Sequence, residues 1–221
     1  MKSRNFLRRR YANGFLDRQD AGEALAAALS EFTAEPDLLV IGLARGGVPV
    51  AAVVADRLGA TLEVAVVRKL GVPGHEELAL GAITRDRMVV NDRLIADLGV
   101  GQQDIEAIVE RERQELDRRE IAYRQGRPPV PVAGRTVLLV DDGVATGATM
   151  RVAVLATRDS GAARVIVGVP TAPATVSEVF DGIADDVVCV HTPRPFYAVG
   201  QSYRQFGQVP DADVTAALAR G

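Results

Sequence analysis

Apolar positions along this chain fall into two alternating forms, short unbroken runs and stretches with apolar residues three or four apart. Between residues 20 and 34, Ala21, Leu25, Ala28, Leu29 and Phe32 recur at helical spacing. This predicts an amphipathic helix with Asp20 as its cap and Pro36 beyond its end. Leu38 to Leu43 predicts a first core strand, Val48 to Leu58 a helix, and Leu62 to Val67 a second strand. A long segment, Arg68 to Leu80, follows, and Gly71, Pro73 and Gly74 break it into a loop at Leu70 to Leu80. Ala82 to Thr84 and Met88 to Val90 suit a hairpin around Arg85-Asp86. Residues 103–124 predict a charged helix with a thin apolar seam of Ile105, Ile108, Val109, Leu116, Ile121 and Tyr123. After the break from Gly126 to Pro131, the pattern predicts a strand at Val137–Val140 and a helix from about Ala148. A strand at Arg164–Val169, a helix marked by Val176, Val179, Phe180 and Ile183, and a strand at Val187–Val190 follow. Thr192 to Val209 reads as irregular.

Unbroken apolar strands suit a sheet covered on both faces. Strands alternating with helices imply an α/β fold, a Rossmann-like parallel sheet with helices on both faces. The chain of 221 residues is long enough for one large α/β unit or two small ones, and it shows no internal repeat, low-complexity tract or clear linker. It is 48% apolar but only 5% aromatic, with no Trp, so the core is aliphatic. A formal charge of −3 gives no general attraction for nucleic acid. The basic stretch Arg8-Arg9-Arg10, near Lys2 and Arg4, is read as solvated or as a subunit contact in preference to a nucleic-acid arm. The lone Cys189 excludes an internal disulfide, and its apolar surroundings make it a core residue. The N-terminus lacks the apolar stretch of a secretory signal, and no run approaches the ~18 apolar residues that span a bilayer. The expectation is a cytoplasmic protein without membrane association.

The densest chemistry lies in Val137 to Thr149. The apolar strand ends in Asp141-Asp142, and a turn of small residues leads into a helix. A helix start carries free N–H groups and the positive end of the dipole, so it attracts phosphate. Acids beside an anion cradle ask for a ligand with hydroxyls at one place and phosphate at another, such as a ribose 5-phosphate. A buried strand that merely ends in acids is the plainer reading. A receiver domain also pairs acids, but after its first strand, and here several strands precede them. The first core strand ends in Gly42-Leu-Ala-Arg-Gly-Gly47, which is neither G-x-G-x-x-G nor a Gly-Lys-Ser/Thr phosphate loop. Arg45 before Gly46 and Gly47 admits either a tight structural turn or an anion contact. Arg68-Lys69, read as the end of the second strand, is either a second anion contact or a solvated pair. His75-Glu76-Glu77 fails the zinc motif because Ala79 stands at the second His position, and two histidines in all make a transition-metal cluster unexpected.

The strand, acid pair, Thr-Gly, small residue and Thr of this segment resemble the phosphoribosyl pyrophosphate (PRPP) signature of the type I phosphoribosyltransferases. The resemblance extends over roughly residues 20–209. It is nearest to the bacterial group of predicted phosphoribosyltransferases with similar Arg-Gly-Gly and Val-Asp-Asp-Gly-Val-Ala-Thr-Gly segments. It implies a single domain over 1–221, with a core at about 36–191 and a C-terminal hood at about 192–209. It gives Asp141 and Asp142 the ribose hydroxyls as catalytic residues. It gives Ala145, Thr146, Gly147, Ala148 and Thr149 the 5-phosphate, and Arg45, Gly46, Gly47 and Lys69 the pyrophosphate. Leu70 to Leu80 becomes a flexible flap, with His75 a candidate acid or base. Phe196 and Tyr197, with Tyr203 and Phe206 behind them, become the rings that stack on a base; a small satellite core is the alternative reading.

The implied reaction is transfer of the 5-phosphoribosyl group of PRPP to a nitrogen acceptor such as a nucleobase, releasing pyrophosphate. Mg²⁺ is the implied cofactor, with no direct protein ligand expected. A homodimer is the implied assembly, and the long helix at 103–124 is an addition to the minimal family core. Ala145 stands where 6-oxopurine members carry an Asp, which weakens a hypoxanthine or guanine reading. The alternative is a non-catalytic PRPP- or nucleotide-sensing regulator; a DNA-reading version has fewer than forty residues before the first core strand to work with. A domain working beside a hydrolase is a third reading.

Overall fold

The computed structural model of the chain describes residues 11, 13–33, 35–72 and 75–219, and of residues 75–79 the backbone alone. The basic stretch at residues 2–10 and the His75 side chain lie outside the described residues. Five strands form a parallel sheet: β1 (Leu39–Leu43), β2 (Thr61–Ala65), β6 (Thr136–Val140), β7 (Arg164–Thr171) and β8 (Asp186–His191). Their order is β2-β1-β6-β7-β8. β1, β6 and most of β7 are buried on both faces, as unbroken aliphatic runs require. Alternate residues enter two cores. Val40, Leu138, Val140 and Ile166 pack on the side of α1 (Arg18–Ala28) and α2 (Gly47–Leu58). Leu39, Ile41, Val137, Leu139 and Val167 pack toward α5 (Ala148–Asp159) with Met150 and Val154.

Helix α1 starts earlier than the sequence suggests. Asp17, not Asp20, caps it, with its carboxylate accepting from the Asp20 N–H at 2.9 Å. The Asp20 carboxylate reaches back to the Leu16 N–H at 3.0 Å. The helix ends at Ala28 and a 3₁₀ turn, Ser30–Phe32, completes the predicted span.

The described residues of the predicted loop from Leu70 are instead sheet. The second core strand stops at Ala65, and β3 (Arg68–Val72) starts a separate antiparallel sheet with β4 (His75–Ile83) and β5 (Met88–Val90). Its β4–β5 turn is the hairpin expected around Arg85-Asp86, with Ile83 opposite Met88. The register of β3 shifts at Leu70/Gly71 and Gly71/Val72, around one of the glycines that read as breakers. A bulged strand therefore accommodates it. A short helix α3 (Asp92–Leu98) follows, capped by Asn91.

Helix α4 (Gln102–Arg124) lies against this second sheet with Ile108, Leu116 and Tyr123 buried. Ile121, placed by its spacing in the apolar seam, is 71% exposed. Part of the seam is occupied by buried acids: Glu112 pairs with Arg68 at 2.6 Å, and Glu120 faces Arg85 at 3.1 Å and Arg124 at 3.2 Å. Arg87 ties the β4–β5 turn to Asp159 at the end of α5. The predicted helix near 176–183 is one turn, α6 (Val176–Val179), and a helix α7 (Asp211–Leu218) follows the irregular segment. No described helix is long and apolar enough to cross a membrane.

Candidate functional site

The sheet order reverses between β1 and β6. From β1 the chain moves outward to β2; from β6 it moves the other way to β7 and β8. A crevice opens at the carboxyl ends of two such strands, where open α/β sheets bind ligands. Here β1 delivers Ala44 to Gly47 and β6 delivers Asp141 to Thr149. The two loops touch. A Cβ at Gly46 would lie 2.1 Å from Asp142 Oδ2, and one at Gly47 would lie 2.6 Å from the Val140 carbonyl oxygen. The glycines thus serve the tight turn and also keep the loop against the acids. The Ala44 N–H reaches the Ala65 carbonyl at 2.9 Å, and the Ala44–Arg45 peptide is cis.

The two acids have different surroundings. Asp141 Oδ1 accepts from the Asp142 N–H at 2.9 Å. Burial pushes the Asp141 carboxyl well above its ordinary range, and the neighbouring Asp142 charge adds to this while Arg18 and Lys69 oppose it. Asp142 Oδ2 accepts from Arg18 Nε at 2.9 Å, and Arg18 Nη2 lies 2.8 Å from the same oxygen as an ion pair. Burial raises the Asp142 carboxyl too, with Arg18 pulling the other way. The Tyr203 hydroxyl donates to the Asp142 carbonyl at 2.5 Å.

Beyond the acids, the loop turns at Gly147, whose φ of +81° is the left-handed region that favours glycine. A Cβ there would also meet Val179 Cγ1 at 2.6 Å. No side chain caps this helix start, so the first N–H groups of α5 have no side-chain partner at a turn with Ala145, Thr146 and Ala148 exposed and Thr149 half-buried. The Val144 N–H bonds the Thr171 carbonyl at 3.0 Å and fixes the loop to the end of β7.

The remaining predicted residues divide. Arg45 lies 3.8 Å from Asp211 at the start of α7. Lys69 stands on β3, in the second sheet rather than at a core strand end, yet its charge reaches Asp141. Its neighbour Arg68 is committed to Glu112. Phe196 is half-buried and Tyr197 is 81% exposed. Gln201 shapes their turn, accepting from the Tyr197 and Ala198 N–H groups and donating to the Pro195 carbonyl. Tyr203, whose hydroxyl reaches the Asp142 carbonyl, stacks on Phe206 at 4.9 Å, and the Arg18 guanidinium lies 4.2 Å from the Phe206 centroid.

Sequence reasoning missed Arg18. It lies 124 residues from Asp142 and carries no motif. It missed also that residues 14–16 run beside the C-terminal segment: Phe15 N–H donates to the Ser202 carbonyl at 2.7 Å, and the Arg204 N–H to the Phe15 carbonyl at 3.0 Å.

The family model for the phosphoribosyl transferase domain matches residues 15–194, a span holding both loops and all five strands of the parallel sheet. The chain belongs to this family. Among solved structures, the crystal structure of TT1426 from Thermus thermophilus is 42% identical, with a TM-score of 0.78 over 94% of this chain and 98% of that one. Two Mycobacterium tuberculosis proteins, named "Putative phosphoribosyl transferase Rv0571c" (strain H37Rv) and "Putative phosphoribosyl transferase MT0597" (strain CDC 1551), are each 45% identical over 207 residues. That match is 93% of this chain but 46% of each relative, so the chain spans about half the length of these phosphoribosyl transferase relatives.

Proposed function

We propose that this chain transfers the 5-phosphoribosyl group of PRPP to a nitrogen acceptor, with a nucleobase the best fit, and releases pyrophosphate. The observation that carries the reading is the contact between the Arg45–Gly47 loop and the Asp141–Asp142 pair, with an uncapped helix start on the same strand end. In this reading, groups able to bind anions flank a carboxylate pair on two sides, which suits a sugar with phosphate at one end and pyrophosphate at the other.

In this reading the α5 amides and the hydroxyls of Thr146 and Thr149 hold the 5-phosphate. The acid pair fixes the ribose and favours the positive charge that develops on the ring as the C1–oxygen bond to pyrophosphate breaks. The acceptor nitrogen forms the new bond to C1 and releases its proton. Arg45, the Gly46 and Gly47 amides and Lys69 steady the departing pyrophosphate. Remote binding of the phosphate becomes positioning at C1. The antiparallel β3–β4 sheet, which carries Lys69, stands beside the crevice as the element to shield it from water.

Among the described residues no group of three or more His, Cys, Asp or Glu side chains gathers to hold an ion. Carboxylates are hard oxygen acceptors that can meet an ion's bound waters, and Mg²⁺ usually keeps several waters beside substrate phosphates. The residues therefore fit a Mg²⁺ that arrives with PRPP, where it would neutralise leaving-group charge. The homodimer belongs to the same proposal. Calorimetric titration with PRPP and Mg²⁺, then pyrophosphate release across a panel of bases, tests the reading. Transfer to at least one base supports it, and absence of PRPP binding overturns it.

A further inference from the structure

We propose that Arg18 is a positioning residue: it holds Asp142 as a strut between the acid turn and the C-terminal segment, and leaves Asp141 as the acid that meets the sugar. This rests on the phosphoribosyl transfer reading and divides the labour of its acid pair.

The Arg18 guanidinium is engaged on three sides. Nε donates to Asp142 Oδ2 with Nη2 in ion-pair contact beside it, Nη1 donates to the Gly207 carbonyl at 2.8 Å, and the flat face lies over Phe206. A rigid fork used this way fixes geometry as well as charge. Asp142 is held at its other end, where its carbonyl accepts from Tyr203, and its carboxylate abuts Gly46. The Arg18 and Asp142 side chains are 14% and 13% exposed, so the pair is shielded from water. Among the described residues, Asp141 accepts from the adjacent N–H and has no cation in direct contact. The two neighbours in sequence therefore differ in partners: one carboxylate is paired with a guanidinium, the other is held only by a backbone N–H, and the second is the one assigned to the ribose hydroxyls.

The same side chain joins two parts of the site. Phe206 and Gly207 belong to the segment that would cover the acceptor, and Arg18 links their position to the acid turn. Movement of that segment on acceptor binding is thereby felt at the sugar.

A double-mutant cycle tests this with wild type, Arg18→Met, Asp142→Asn and the pair together, followed by kinetics and thermal unfolding. Arg18→Met is expected to lower kcat/KM on the order of 10²-fold, the scale of a misplaced reacting group. The double variant is expected to be no worse than the poorer single one, because both changes break one contact. Arg18→Lys, which keeps charge and loses the fork, should recover part of the activity. Asp141→Asn should raise KM for PRPP more than Asp142→Asn does. Multiplying effects in the cycle would mean that Arg18 meets substrate directly, and would overturn the proposal. Equal KM effects of the two Asn variants would do the same. A wild type that binds no PRPP would sink the transfer reading alone. The strut is still read in the unfolding midpoints of the four proteins, where non-additive shifts support it and additive shifts reject it.

Discussion

Gly46 and the Asp142 carboxylate are packed so closely that a single added methyl would fall 2.1 Å from Oδ2. Asp142 cannot yield, because Arg18 and Tyr203 hold both of its ends. Gly46→Ala should therefore cost about 1–3 kcal/mol of stability, the range for forcing volume into a packed site. For a chain this long, that lowers Tm by about 2–4 °C per kcal/mol. Gly207→Ala, with nothing within 4 Å of its would-be Cβ, is the matched control and should leave Tm unchanged. A differential scan of the two variants checks the difference.

Asp141→Asn should raise Tm at neutral pH while weakening PRPP at least tenfold. Burial disfavours the charged carboxylate in the folded protein, so removing the charge relieves a folding cost. A variant that loses both stability and affinity would show that the carboxylate holds the fold together.

The pH dependence follows with a definite sign. Both acids have folded values raised above their unfolded ones. The folded state therefore holds protons that the unfolded chain has released. The stability they contribute is present below the ordinary carboxylate value of about 3.9 and is lost as pH rises through the raised values. Denaturant titrations from acid to neutral pH should show this decline, and Asp141→Asn should flatten it. PRPP affinity should fall on the acid side with a midpoint above the ordinary carboxylate range, read by calorimetry.

Thr146→Val should weaken PRPP more than a free acceptor base. The exposed hydroxyl sits in the turn at the uncapped start of α5, and Val keeps the shape while removing the donor. Equal weakening of both ligands by calorimetry would contradict the 5-phosphate assignment.

Glu112→Gln should destabilise the second sheet. Glu112 has 8% side-chain exposure and receives Arg68 Nε and Nη2 at 2.9 and 2.6 Å. Breaking such a pair leaves a cation short of its partner, a loss on the order of 3 kcal/mol. Hydrogen exchange should quicken in β3 and β4 before it quickens in β1 or β6.

The parallel sheet was legible because its signal is local. Leu39–Leu43 and Thr136–Val140 are continuous aliphatic runs, and the acids and Thr-Gly turn follow directly in sequence. Arg68–Leu80 misled because Gly71, Pro73 and Gly74 read as breakers, whereas β3 absorbs the irregularity as register shifts on either side of Gly71. Ile121 misled because spacing alone could not show that Glu112 and Glu120 occupy buried positions on the same helix. Asp211–Leu218 lacked a strong apolar period and passed unnoticed. Arg18 was out of reach for a different reason: its pairing with Asp142 exists only after segments far apart in sequence have come together over the sheet.

That last arrangement has a consequence for biosynthesis. Residues 14–18 meet residues 202–207 through backbone pairing and the guanidinium fork. On the ribosome the sheet and its two carboxylates can assemble while residues 202–207 are still in the exit tunnel, as sequential emergence of the chain dictates. A nascent chain at that stage would own a nearly complete architecture with its anionic corner still unlatched. The corner would be latched only once those six residues had emerged and docked onto α1.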